Sequence, residues 1–290
     1  MRHRSICIAV LVSLLASCGS PAGQSAPTAS QSAIEDKGSD TMVNLALAWA
    51  ERYGAEHPEA RLSVTGGGSG TGIAAMINGT ASIANASRAI KAEEKQQAEA
   101  NGLQPVEFVV ARDAIAVIVN PANPVARLTI AQLSDIYSGK ITNWREAGGQ
   151  DRPIVLLSRE SNSGTHVYFL EQVVRQGRKD DHTLFAPETL LLPSSEGISA
   201  EIRQNPNAIG YDGLGYVTPD VKVIAVAGNP AGPFFLPTIE TVTKKEYPIA
   251  RDLYMYTPGQ PTGAVKDYLD WIIGPEAQGI VKELGFVPIR

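Results

Sequence analysis

From Ile34 onward, short apolar runs alternate with stretches whose apolar positions repeat at helical spacing. Arg61-Leu-Ser-Val-Thr65 alternates at period two, and Ala114 to Val119 is an almost unbroken apolar run. Ile154 to Leu157 and Val221 to Val226 have the same character. Such runs predict strands, the unbroken ones buried on both faces. Val43, Ala46, Leu47, Ala50 and Tyr53 fall on one helical face, as do Ile130, Leu133 and Ile136. A last helix is expected from Pro275 through Leu284, with proline in its first turn and Gly285 as its stop. Strands alternating with helices predict an α/β fold with largely parallel sheets.

At 290 residues the chain exceeds one ordinary core, so two sheets are expected. One crossing fits near residues 111–120, where an apolar strand runs into Asn120-Pro-Ala-Asn-Pro124, and a second near residues 220–226. Residues 34–113 and 222–290 then form one discontinuous lobe, and residues 114–221 the other. The N-terminus has its own pattern: Arg2 and Arg4, an apolar stretch from Ile6 to Leu15, then Leu15-Ala-Ser-Cys18. Residues 1–17 read as a secretory signal, and the apolar stretch is short of the roughly 20 residues a helix needs to span a bilayer. A cysteine directly behind Leu-Ala-Ser resembles the bacterial lipoprotein processing box. That resemblance implies cleavage before Cys18, acylation of its thiol, and a protein lipid-anchored outside the cytoplasmic membrane. Residues 18–33, rich in Ser, Pro, Ala and Gln, read as a flexible tether.

Composition narrows the function. Hydrophobic residues make up 43% and charged residues 19%, which describes a folded chain rather than a disordered one. The net charge of −5, without a basic block beyond the N-terminus, argues against nucleic acid as a partner. Two cysteines build no disulfide framework, and the four histidines (His3, His57, His166 and His182) have no metal-ligand spacing. No metal and no cofactor are expected. Trp49, Trp144 and Trp271 are read as packing residues.

The chemistry lies in a junction used three times. Gly38-Ser-Asp-Thr41 precedes a helix starting near Met42. Gly66-Gly-Gly-Ser-Gly-Thr-Gly72 follows the strand ending at Thr65 and precedes a helix around Ile73–Asn78. Arg159-Glu-Ser-Asn-Ser-Gly-Thr165 follows the strand Ile154–Leu157 and precedes a helix over His166–Arg175. Helix starts carry unpaired N–H groups and the positive dipole end, so they attract anions; a hydroxyl there either caps the helix or turns to a ligand. Arg88 and Arg159 add planar forks suited to tetrahedral oxyanions. Asp40 repels a fully ionised oxyanion but accepts the proton that phosphate keeps and sulfate lacks at neutral pH, which would favour phosphate.

These motifs, with Ala84-Asn-Ala-Ser-Arg88, Tyr137-Ser-Gly-Lys-Ile-Thr-Asn-Trp144 and Asn207-Ala-Ile-Gly-Tyr211, resemble the solute-binding proteins of phosphate ABC importers, of the periplasmic-binding-protein type II superfamily. The resemblance spans roughly Lys37 to Ile289. It implies two α/β lobes, each a mostly parallel sheet flanked by helices, joined by a hinge and closing over phosphate. It also implies a likeness in partners: membrane permease subunits, with the binding protein itself a monomer. Carried over by residue, the phosphate ligands are Ser39, Asp40, Thr41, Ser69, Gly70, Thr71, Ser87, Arg88, Arg159, Ser163, Gly164 and Thr165. Where known members place an aspartate that takes the phosphate proton, this chain has Ser87, and Asp40 is the expected replacement.

Three alternatives remain open. The same fold can hold molybdate or sulfate, or act as a surface phosphate sensor. Ser163 and His166 suggest a serine hydrolase or phosphatase, yet no G-x-S-x-G elbow, Walker A lysine or G-x-G-x-x-G is present, so no catalytic residue is expected.

Overall fold

The computed structural model describes residues 33–289. The expectations for the signal segment, for Cys18 and for the tether up to residue 32 lie outside them. The chain begins with β1 (Ile34–Gly38), α1 (Val43–Glu56), β2 (Leu62–Thr65), α2 (Ser69–Ile77), β3 (Ile83–Ala86) and α3 (Ala92–Ala100). A long strand, β4 (Val106–Val119), leads into β5 (Arg127–Thr129), α4 (Ile130–Tyr137), β6 (Val155–Arg159) and α5 (Gly164–Phe169). Next come β7 (Leu190–Leu192), α6 (Ser195–Gln204), β8 (Ala208–Gly213), β9 (Lys222–Ala227) and α7 (Ile239–Thr243). Finally β10 (Ala250–Thr257), α8 (Gly263–Ile272) and α9 (Pro275–Glu283) close the chain.

The expected strands at 61–65, 154–157 and 221–226 form with ends moved by one or two residues. The apolar run 114–119 is only the last part of β4, which starts back at Val106. Two helices also differ. α2 begins at Ser69, inside the glycine-rich loop, and α5 passes into a widened π turn over Leu170–Val174. On α1 the buried positions are Leu45, Ala46, Trp49 and Tyr53, while Leu47 is 48% exposed. Trp49 takes the core position because its indole N–H reaches Ala277 O at 3.0 Å, satisfying the one polar atom of a fully buried ring.

Strands run in the order β2-β1-β3-β10-β4-β8-β6-β7, with β9 also on β4 and β5 on β9. Pairing is parallel for β1–β2, β1–β3, β5–β9, β6–β7 and β6–β8. An antiparallel seam, β3–β10–β4 and β4 with β8 and β9, runs through the middle. The seam arises because β4 is long enough to serve both halves. Its residues up to Ala114 pair with β10, and from Ile115 they pair with β8.

Two principal cores flank this seam. One gathers Ile34, Leu45, Trp49, Leu253, Tyr268 and Val281. The other gathers Val117, Leu133, Phe169, Tyr211, Ile224 and Val242. Tyr247 and Ile249 belong to the second. The stretch from Lys222 to Ile249, which the sequence reading gives to the first lobe, thus packs on the core of residues 114–221, because β9 pairs with the far end of β4.

Candidate functional site

Parallel strands deliver their following loops at their carboxyl ends, and ligands of open α/β sheets bind in that crevice. The loops after β1, β2, β3 and β6 meet there. Ser39 makes no capping bond; its Oγ donates to Ser87 Oγ at 2.9 Å. Ser69 does not cap α2 either. Its Oγ accepts the Ser87 N–H at 3.0 Å and lies 3.3 Å from Ser87 Oγ. Three buried serine hydroxyls from three loops therefore form one cluster.

The turn before α5 closes on that cluster from the other half. Thr41 Oγ1 and Thr165 Oγ1 are hydrogen-bonded at 2.8 Å across 124 residues of sequence. Gly164 sits against the serines so closely that a Cβ there would stand 2.3 Å from Ser69 Oγ and 2.6 Å from Ser87 Oγ. Gly70 N–H donates to Asn162 O at 3.0 Å, and Asn162 Nδ2 donates to Gly67 O at 2.9 Å. Of the three junctions only the last carries a hydroxyl cap: Ser163 Oγ accepts from Thr165 N–H at 3.2 Å.

Arg159 is buried and nearly saturated. It donates to Leu192 O, Pro193 O and Ser195 Oγ, and through Nη2 to Asp40 Oδ2 at 2.9 Å. Asp40 Oδ2 also accepts the Ser195 N–H at the start of α6 (3.2 Å), so this first-loop carboxylate lies where the second half offers an anion site. Behind Ser195, its Oγ donates to Asp212 Oδ1 at 2.8 Å. Burial pushes the Asp212 carboxyl up to about 7.

Two expected ligands point elsewhere. Both terminal nitrogens of Arg88 are held by Glu94, at 2.8 and 2.6 Å, because α3 begins four residues beyond Arg88 and carries the carboxylate on its first turn. Thr71 is exposed, and its hydroxyl donates back to Gly67 O at 2.8 Å. The remaining members of the expected set (Ser39, Asp40, Thr41, Ser69, Gly70, Ser87, Arg159, Ser163, Gly164 and Thr165) are brought together.

Sequence reasoning missed Arg251 and Asp113. Arg251 on β10 donates from Nη2 and Nε to Asp113 Oδ2 at 2.8 and 3.2 Å, and both side chains are buried. Its Nη1 reaches Ser87 O at 2.9 Å, and its Nη2 reaches Thr165 Oγ1 at 2.9 Å and Thr41 Oγ1 at 3.4 Å. A signal existed: on β10 Arg251 shares the phase of buried Leu253 and Met255, so alternation puts a charge on the apolar face. Each buried guanidinium thus has its own carboxylate: Arg88 with Glu94, Arg159 with Asp40, Arg251 with Asp113. The site offers hydroxyls, N–H groups and balanced ion pairs rather than surplus positive charge, in line with the net charge of −5.

The hydrolase geometry fails. His166 Nδ1 is bonded to Ser158 Oγ at 3.1 Å, not to Ser163, and Ser158 is wholly buried and also bonded to Tyr211 OH. Burial lowers the His166 pKa. Among the described residues no group of three or more His, Cys, Asp or Glu is placed to hold a metal, and no helix is long and apolar enough to cross a membrane.

A sheet crossed by β4 and β10, with anion-seeking loops facing one another across it, is the build of a two-lobed solute-binding protein. The family model of the PBP superfamily domain matches residues 23–276. The phosphate-binding protein PstS of Bacillus subtilis is 33% identical, over 97% of this chain and 92% of that protein; its Pseudomonas aeruginosa PAO1 counterpart is 31% identical, over 88% and 83%. Among solved structures, an ABC-type phosphate transport receptor from Vibrio cholerae matches with TM-score 0.71 and 30% identity, covering 88% of this chain and 99% of that one. The chain belongs to the PstS phosphate-binding proteins of the PBP superfamily.

Proposed function

We propose that this chain captures inorganic phosphate reversibly between its two lobes and hands it to the permease subunits of an ABC-type importer. It works as a monomer held outside the cytoplasmic membrane by a lipid on Cys18. The observation that carries the reading is the meeting of Ser39, Thr41, Ser69 and Ser87 from one half with Gly164 and Thr165 from the other, in a chain of the PstS family. Buried hydroxyls and N–H groups replace the water shell of a small oxyanion, and contacts made only when the halves meet are those that favour closure. We place the crossings where β4 exchanges partners, between Ala114 and Ile115, and where β10 begins, between Ile249 and Ala250.

Within this site Arg159 bridges the lobes through Asp40, whose Oδ2 is taken by Arg159 and Ser195, leaving Oδ1 to accept the phosphate proton. Arg88, neutralised by Glu94, supports the loop rather than the ligand. The test is a calorimetric titration with phosphate, competed by sulfate, molybdate and arsenate. We expect one phosphate site that sulfate and molybdate do not fill, and an Asp40→Asn variant that loses this preference. No phosphate binding, or equal sulfate binding, overturns the reading; a variant that keeps the preference removes Asp40 as proton acceptor. Metabolic labelling with palmitate should mark the wild-type chain and not Cys18→Ala, and an unlabelled wild-type chain refutes the anchor.

A further inference from the structure

We propose that Arg251, braced by Asp113, is a specificity-determining positioning residue: by donating to the hydroxyl oxygen of Thr165 it turns a hydroxyl proton of the Thr41–Thr165 pair toward the ligand. This rests on the phosphate-binding reading and adds a role for a residue outside the loop motifs.

A threonine hydroxyl has one proton to give and two positions at which to accept. Thr165 Oγ1 accepts from Arg251 Nη2 at 2.9 Å, Thr41 Oγ1 lies 3.4 Å from the same nitrogen, and the two hydroxyls share a bond of 2.8 Å. Nη2 gives one N–H to Asp113 and its other to Thr165 at 2.9 Å, so when Thr41 donates to Thr165 both acceptor positions of Thr165 are filled, one by that hydroxyl and one by the guanidinium. The proton of Thr165 must then point away from both, as a donor. The pair is thereby fixed as a donor to an incoming acceptor, and a ligand atom that brings its own proton there meets a second proton.

Asp113 makes the arrangement durable. It takes two of the guanidinium's N–H groups, and its other oxygen accepts the Leu214 N–H at 3.0 Å, so the carboxylate is anchored on the backbone that follows β8. Arg251 and Asp113 face each other across the β10–β4 ladder in direct register. The pair therefore stands on the two strands that join the halves, and Arg251 touches loops of both: Ser87 O and Thr41 from one, Thr165 from the other. A lysine could keep the charge beside Asp113 but has no fork to span three partners.

The test is a double-mutant cycle on phosphate affinity in the full chain. Arg251→Met is made with Asp113→Asn, so that no buried carboxylate is left unpaired, and is combined with Thr165→Val. Each alone should weaken phosphate by about tenfold to 100-fold, the range for hydrogen bonds to charged groups. Combined they should lose little more than the larger single loss, because Arg251 acts through the hydroxyl that the Thr165→Val substitution removes. Additive losses overturn the proposal, since a merely structural arginine would weaken both backgrounds equally. Should the neutral pair fail to fold, Arg251→Lys retains the charge; it should lose at least about tenfold in affinity without a matching fall in melting temperature, and unchanged affinity overturns the proposal. A wild-type chain that binds no phosphate overturns both this proposal and the function it rests on, whereas phosphate binding with additive losses overturns this one alone.

Discussion

Gly164 shows how far a single residue's role departs from its local preference. In a helix alanine is favoured over glycine by about 1 kcal/mol, so propensity recommends Gly164→Ala. The packing forbids it: the added methyl would stand 2.3 Å from Ser69 Oγ, on the opposite half of the molecule. We expect Gly164→Ala to weaken phosphate about tenfold or more by holding the halves apart, as one lost set of closing contacts implies, with melting temperature kept or raised. Calorimetry beside a thermal melt decides it, and an unaltered affinity would show that Gly164 and the serines need not meet. Arg159 and Arg88 teach a related lesson. Both are buried arginines in or beside loop motifs, yet one faces the other half and the other turns to its own helix.

At the scale of elements, the junctions succeed because they combine strand end, tight loop and helix start. Gly68 precedes α2 with φ +97°, a left-handed conformation that favours glycine, and a Cβ there would lie 2.8 Å from Asn162 O. Gly68→Ala should therefore cost stability, on the order of 1 kcal/mol from the backbone alone, and weaken phosphate further by breaking the Asn162 clasp. Denaturant melts with and without phosphate separate the two losses; equal melts for both proteins would remove the clasp from the account. The strand β4 makes the complementary point. Its apolar end was legible as a run, while its beginning, Val106 to Asp113, mixes charge with apolar residues and hides a strand shared by both halves.

For the whole molecule, the largest consequence is pH. Asp36 on β1 is fully buried, and burial outweighs the opposing influence of the Asn85 side chain, pushing its carboxyl up to about 7. Asp212 is pushed up to about 7 as well. In the unfolded chain each ionises near pH 4, whereas the fold keeps each protonated. The unfolded state therefore binds fewer protons between about pH 4 and pH 7, and stability falls as pH rises through that window. For Asp36 the loss is on the order of 4 kcal/mol. Asp36→Asn should raise stability at pH 8 by clearly more than at pH 5, where only the first part of the loss has been incurred. Chemical denaturation at the two pH values checks this, and an equal effect at both would mean that Asp36 is ionised throughout.

Short-range order was written in part of the chain: periodicity placed β2, β6, β9, the end of β4 and helices α1, α4 and α9, and glycine with hydroxyl residues marked the three junctions, because each signal needs only neighbours within one turn or one pleat. What the alphabet of local patterns could not state is which distant groups meet. Thr41 joins Thr165 across 124 positions, Arg251 joins Asp113 across 138, and Lys222 to Ile249 packs on the half before it rather than the half after. Those choices followed from the register of β4 against β10, β8 and β9, since a buried charge settles only where a partner strand brings its counter-charge alongside.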